Sequence, residues 1–303
     1  MWYQLPMMTI VTVDEIKRVA VLGAGTMGHG IAHVAALAGW EVALRDVEER
    51  FVADGLKKIH ANLDKGVEKG KLTADEKHKV VARLAGTTSL EAAVRGADLI
   101  IEAIPENLTW KRETFAIVER EAPPNALFAS NTSSLSVGAI AAGLAHPERM
   151  VGMHFFNPVH IMKLCEIVRP DAAAEGAVET ARAVALKMGK DPIVARDVPG
   201  FASSRLGVAL GLEAIRMVEQ GVASPADIDK AMKLGYGHPM GPLELGDLVG
   251  LDVRLAIAEY LKVELGPSFE PPALLRQKVK EGKVGKKSGE GFYKWDKAGG
   301  KVE

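Results

Sequence analysis

Residues 18–46 read RVAVLGAGTMGHGIAHVAALAGWEVALRD, and the fold of the first half of the chain turns on them. The stretch begins with an apolar run and passes into Gly23-x-Gly25-x-x-Gly28. Beyond it Ile31, Val34, Ala35 and Ala38 recur at helical spacing. Gly39 stands where a helix should stop, and EVALRD reads as a second buried strand ending in Asp46. The order is strand, glycine turn, helix, strand: a βαβ unit.

Such a unit has a physical use. Gly23 permits the tight turn, Gly25 lets backbone approach a pyrophosphate, and Gly28 lets helix and strand pack closely. The helix start, with Thr26 and Met27 leading into it, offers free N–H groups and a partial positive charge to phosphates. Asp46 falls where a carboxylate accepts ribose hydroxyls. An acid there repels a 2′-phosphate, so the expected cofactor is NAD in preference to NADP, although Arg45 beside it works the other way.

Working outward, GADLIIEAIPENLTWKRETF and NALFASNTSSL are apolar strand runs that end in polar residues, alternating with helices as in a parallel sheet. Ligands of such sheets lie outside the carboxyl ends of the strands. Glu106, Asn107, Asn131, Thr132 and Ser133 cluster there as candidates. RMVGMHFFNPVHIMKLCEIV repeats the pattern, with His154 at the end of one strand and Glu166 in the next. The lysine-rich stretch of about residues 56–80 reads mainly as a solvated helical face, with one or two lysines left as phosphate ligands.

After RDVPGF, residues 196–201, strand runs largely disappear. ASSRLGVALGLEAIRMVEQG has Leu206, Leu210, Ala214 and Met217 along one face, and Gly207 and Gly211 suggest close helix approach, between subunits or within one chain. GPLELGDLVGLDVRLAIAEYLKVELG reads as another long helix. The expected architecture is therefore α/β: a Rossmann-type, doubly wound, mostly parallel sheet over residues 14–198, then a smaller all-α domain over 199–303.

The 303 residues suffice for two such domains. With 38 Lys plus Arg against 39 Asp plus Glu, nothing draws the chain to nucleic acid. Cys165 is the single cysteine, so neither an internal disulfide framework nor a zinc spacing exists, and no metal is expected. No apolar stretch has the length of a membrane span. The first thirteen residues carry no basic side chain, which argues against a secretory leader and for a cytoplasmic protein. Met7 or Met8 is a possible natural start.

The assembled motifs resemble the 3-hydroxyacyl-CoA dehydrogenase family. Seven blocks carry the likeness in order: VAVLGAGTMGHGIA, IIEAIPENLTWK, ASNTSSL, HFFNPVHIMKLCE, DVPGF, LGYGHPMGPLEL and GKKSGEGFYKW. Sugar-acid dehydrogenases and lens proteins of the superfamily look like HPVNPP at the histidine block, so HFFNP favours the acyl-CoA branch. The resemblance implies reversible NAD-dependent oxidation of a short-chain (S)-3-hydroxyacyl-CoA such as 3-hydroxybutyryl-CoA. Dicarboxylic or aromatic 3-hydroxyacyl-CoAs and free hydroxy acids are the alternatives.

Residue by residue, the resemblance implies that His154 is the catalytic base, Glu166 its acid partner and Ser133 a contact to the substrate hydroxyl. Glu106, Lys111, Asn131, Ser133, Asn157 and Lys287 match cofactor-contacting positions, alongside Asp46 and the glycine turn. Lys69 is the nearest match to a lysine that contacts CoA, with Lys65 next. Ser204 stands where the family usually has an asparagine that helps hold the substrate near the thioester. A homodimer through the helical domain is also implied.

Overall fold

The structure, a computed structural model, describes residues 10–296 and 298–302. The suggested starts at Met7 and Met8 lie outside the described residues. The chain divides into two compact units, 1–198 and 199–303.

The first unit runs β1 (Arg18–Leu22), α1 (Gly28–Leu37), β2 (Glu41–Arg45), α2 (Glu49–Glu68), α3 (Ala74–Val81), β3 (Leu84–Thr87), α4 (Leu90–Val94), β4 (Leu99–Glu102), α5 (Leu108–Glu121), β5 (Leu127–Ser130), α6 (Val137–Ala141), β6 (Met150–Phe155), β7 (Leu164–Arg169), α7 (Glu175–Lys187) and β8 (Asp191–Arg196). The eight strands form one sheet in the order β3-β2-β1-β4-β5-β6-β7-β8. All neighbours are parallel except β6 and β7, which run antiparallel.

The central strands are continuous apolar runs because helices cover both sheet faces. Val19, Val21, Leu22, Leu99, Ile100 and Ile101 are fully buried, and each contributes about 1.5–3 kcal/mol relative to an exposed side chain. The chain winds from β1 to β2 and β3 on one side, then to β4, β5 and β6 on the other. A crevice therefore opens at the carboxyl ends of β1 and β4.

The lysine-rich stretch is two helices, not one. Thr73 accepts a hydrogen bond from Glu76 N while the Glu76 carboxylate reaches back to Thr73, a capping box that starts α3 afresh.

The second unit contains α8 (Ser203–Glu219), α9 (Pro225–Gly235), α10 (Pro242–Val249), α11 (Leu251–Leu265), α12 (Ala273–Lys280) and a two-stranded ribbon of β9 (Lys294–Trp295) and β10 (Lys301–Val302). Two expectations need correction, and one open alternative is decided. The long helix across residues 241–266 is broken at Gly250, whose φ of 105° belongs to the left-handed half of conformational space. The buried face of α8 is Val208, Gly211, Leu212, Ala214 and Ile215, whereas Leu206 is 71% exposed. Gly207 and Gly211 admit a side chain of the same chain. Arg254 on α11 donates to the Gly207 carbonyl at 2.6 Å, and a Cβ at Gly211 would lie 3.1 Å from its Nη1.

Candidate active site

Each glycine of the turn after β1 has its own geometry. Gly23 has φ 101°, and a Cβ there would lie 2.6 Å from the Ala103 carbonyl oxygen at the end of β4. A Cβ at Gly28 would lie 1.6 Å from the Gly23 oxygen, so only glycine lets α1 start this close to the strand. A Cβ at Gly25 would meet nothing within 4 Å. Two glycines are thus required by the protein's own packing, and the third leaves a bare backbone facing open space. That is the shape a pyrophosphate needs at a helix start.

Thr26 is exposed and Met27 is the N-cap residue of α1, with no side-chain bond to the helix amides. Asp46 closes the cradle: its carboxylate accepts from Ala24 N at 2.7 Å and from Val47 N at 2.7 Å. One carboxylate oxygen can accept more than one hydrogen bond, so bracing the turn does not exclude a ribose hydroxyl.

At the ends of β4 and β5 lies a buried ionic network. Lys111 and Glu102, 1% and 0% exposed, form an ion pair at 2.7 Å. Glu106 stands 3.4 Å from the same ammonium. Glu102 also accepts from Ser130 Oγ at 2.6 Å and Ile104 N at 2.7 Å. Glu106 gathers the polar loop after β5, accepting from Thr132 Oγ1 at 2.6 Å, Ser133 N at 3.0 Å and Ser134 N at 3.2 Å.

Burial pushes the Glu102 carboxyl above the usual carboxylate range, and Lys111 only partly offsets it. For Glu106 burial works upward too. There Lys111 and the Thr132 and Ser133 donors outweigh it and hold the group below its ordinary value. Of the charged residues in this network only Glu102 is not singled out by the sequence. Its one signal is a charged residue at the end of an otherwise apolar strand.

His154 and Glu166 face each other across the antiparallel pair β6 and β7. Nδ1 of the imidazole lies 2.7 Å from Glu166 Oε2, with His154 7% and Glu166 0% exposed. Direct cross-strand opposition places the two side chains on one face of the sheet. Phe156 packs on the imidazole with ring centroids 4.4 Å apart. Asn131, at the end of β5, accepts from Phe155 N at 2.9 Å and so ties the histidine strand to its neighbour.

The remaining sequence candidates are dispersed. Asn107 caps α5, accepting from Trp110 N at 3.0 Å. Asn157 is exposed on the loop between β6 and β7, where the Asn157–Pro158 bond is cis. Lys65 is in the last turn of α2 and Lys69 caps that helix, and both are exposed. In the second unit Ser204 occupies the first turn of α8, and Lys287 pairs with Asp252 at 2.6 Å. Among the described residues no group of three or more His, Cys, Asp or Glu is arranged to hold a metal ion. Among the same residues no helix is long and apolar enough to cross a membrane.

A doubly wound sheet with a dinucleotide cradle at its switch point places the chain among the NAD-dependent oxidoreductases. The family model for the 3-hydroxyacyl-CoA dehydrogenase NAD binding domain matches residues 18–198, and that for the C-terminal domain matches residues 200–295. The chain belongs to the 3-hydroxyacyl-CoA dehydrogenase family. It is 47% identical to a probable 3-hydroxybutyryl-CoA dehydrogenase of Bacillus subtilis over 93% of this chain and 98% of that protein. It is 42% identical to the 3-hydroxyadipyl-CoA dehydrogenase of Escherichia coli over 93% of this chain, which is 59% of that longer protein. Among solved structures it resembles the (S)-3-hydroxybutyryl-CoA dehydrogenase of Ralstonia eutropha, with a TM-score of 0.90, 38% identity, and coverage of 93% and 100% of the two chains.

Proposed function

We propose that this dehydrogenase interconverts (S)-3-hydroxybutyryl-CoA and its 3-ketoacyl counterpart, with His154 as the proton-transferring group and Glu166 as its partner. The observation that carries the reading is the buried 2.7 Å contact between His154 Nδ1 and Glu166. With Nδ1 committed to the carboxylate, Nε2 is the nitrogen that exchanges a proton with the substrate hydroxyl. Glu166 fixes the tautomer and stabilises the imidazolium, as the acid of a Ser-His-Asp triad does. Bound NAD would supply the acceptor for the hydride of the alcohol carbon.

Gly23, Gly25, Thr26, Met27 and Gly28 would hold the cofactor's pyrophosphate and Asp46 its ribose. Glu106, Lys111, Asn131, Ser133, Asn157 and Lys287 complete that set. Ser133, whose amide is fixed by Glu106, orients the substrate hydroxyl. Ser204, Lys65 and Lys69 are assigned to the acyl-CoA by the family match alone. In the reverse direction His154 gives its proton to the forming alkoxide.

Initial rates with acetoacetyl-CoA, longer acyl-CoAs and carboxylated acyl-CoAs, each with NADH and with NADPH, test this assignment. The highest kcat/KM is expected for acetoacetyl-CoA with NADH. A preference for a carboxylated thioester would transfer the chain to the dicarboxylic branch, and a preference for NADPH would remove the role given to Asp46.

A homodimer is proposed as well, supported by Leu206, Leu210, Leu245, Leu248 and Val253, which the second unit leaves exposed. Light scattering should give twice the 32.4 kDa chain mass. A monomeric mass would refute it.

A further inference from the structure

His154 and Glu166 are joined by the loop 156–163, and their opposition depends on where that loop holds the two strands. Lys190, between α7 and β8, is 7% exposed. Its ammonium donates to two carbonyl oxygens of the loop, those of Val159 and of Met162, the latter at 3.0 Å. A buried ammonium needs such partners, and loop carbonyls facing inward need a donor. The backbone beneath is fixed separately: Lys190 N donates to Ala185 O of α7 at 2.9 Å, and Asp191 N donates to Lys163 O at 2.8 Å.

The other side of the same loop meets the cofactor helix. Val159 is 2% exposed, and a Cβ at Gly30 of α1 would lie 2.8 Å from the Val159 Cβ. His160, the next residue, packs its ring on His33 of α1 with centroids 5.6 Å apart. The loop is therefore wedged between α1 and the Lys190 ammonium. On it rides Asn157, and at its two ends stand the members of the His154–Glu166 pair.

We infer that Lys190 is a positioning residue of the reaction: through the Val159 and Met162 carbonyls it seats the loop against α1 and so sets the catalytic pair relative to the bound cofactor. This role rests on those proposed for His154 and Glu166. Lys190 touches no reacting atom. Its removal acts by letting the loop relax, and misplacement of about 1 Å at a reacting group can cost up to 10²-fold.

The test compares Lys190→Met, Lys190→Gln and Lys163→Met in the full-length protein, at a temperature where circular dichroism shows each one folded. Lys163 is exposed and donates to Gly189 O at 3.2 Å on the outer side of the same junction, so its variant controls for loss of a lysine–carbonyl contact as such.

For Lys190→Met the expected result is a kcat lower by on the order of tenfold, with a dissociation constant for NADH, from fluorescence titration, raised at least about threefold. Lys190→Gln, which keeps two N–H donors on a shorter neutral side chain, should fall between that variant and the parent. Lys163→Met should match the parent in both measurements. A merely structural lysine would lower the melting temperature and leave the NADH constant of the folded protein unchanged, and that outcome overturns the proposal.

If Lys190→Met does not fold, Lys190→Gln decides: at least about a threefold loss of kcat supports the inference, and parental values of kcat and NADH affinity overturn it. His154→Gln, run alongside, separates the two failures. If it is inactive while the Lys190 variants behave as the parent, only the positioning role falls. If it is active, the reading of the pair falls first.

Discussion

His154→Gln is expected to lower turnover by on the order of 10² to 10⁴, the range for a general acid–base group, while NADH binding stays close to the parent's. The glutamine amide fills most of the space against Phe156, which packs on the imidazole at 4.4 Å, but it cannot take up and return a proton at neutral pH. The glycine turn and Asp46 are held by other groups: Asp46 by the Ala24 and Val47 amides, Gly23 by its close approach to Ala103, and Gly28 by its approach to Gly23. The loss should therefore appear in kcat with no matching loss of cofactor affinity.

Glu166→Gln should cost less, because the amide still reaches Nδ1 across the same strand pair. The imidazolium loses its counter-charge, so a clear loss of kcat should remain although the contact geometry is kept. Parental turnover in either variant would remove the pair from the mechanism.

Legibility in the sequence followed how locally each feature is encoded. The unit from β1 to β2 could be read because every part carries its own signal, from the apolar run to the glycines that only a tight turn demands. β8 had no such signal. Its residues Asp191–Arg196 are mostly exposed or half-buried, so no apolar run marks them, and the strand exists by pairing with β7. The break at Gly250 was hidden in the same way, since apolar spacing continues from α10 into α11 and only the backbone turn ends the first helix.

At the site, the residue types were legible in the strand pattern, whereas the pairing of His154 with Glu166 was legible only through the family resemblance. An apolar run around Glu166 marks a strand but not its direction. The antiparallel turn between β6 and β7 is what brings the carboxylate to the histidine. Glu102 and Lys190 escaped because a buried charge is defined by its partners, and those partners are distant in sequence or belong to the backbone.

Lys111→Met carries the largest expected effect on stability. Lys111 is 1% exposed and neutralises Glu102, which is 0% exposed, while standing 3.4 Å from Glu106. Methionine fits the volume but leaves the buried Glu102 carboxylate without its counter-charge and the more exposed Glu106 without its cation, and breaking a buried pair on one side typically costs about 3–5 kcal/mol. The cost should depend on pH with a definite sign. Burial already raises the Glu102 carboxyl, and without the ammonium it rises further, so the folded variant binds a proton that the unfolded chain has released. Glu106 is held low chiefly by Lys111 against its own burial, and it loses the stability that it contributes above the ordinary carboxylate range.

Both carboxylates make the deficit of the variant grow as pH rises from about 4.5, the ordinary value for glutamate. Urea unfolding at pH 4.5 and at pH 7 should show a small difference from the parent at the first and the full one at the second. Adding Glu102→Gln should then recover part of the loss, because it removes the stranded charge, although the same change in the parent is destabilising. The opposite signs in the two backgrounds are the signature of a direct pair. If Glu102→Gln costs the same with and without Lys111, within the roughly 0.5 kcal/mol by which independent sites add, the network does not hold the strand ends as described.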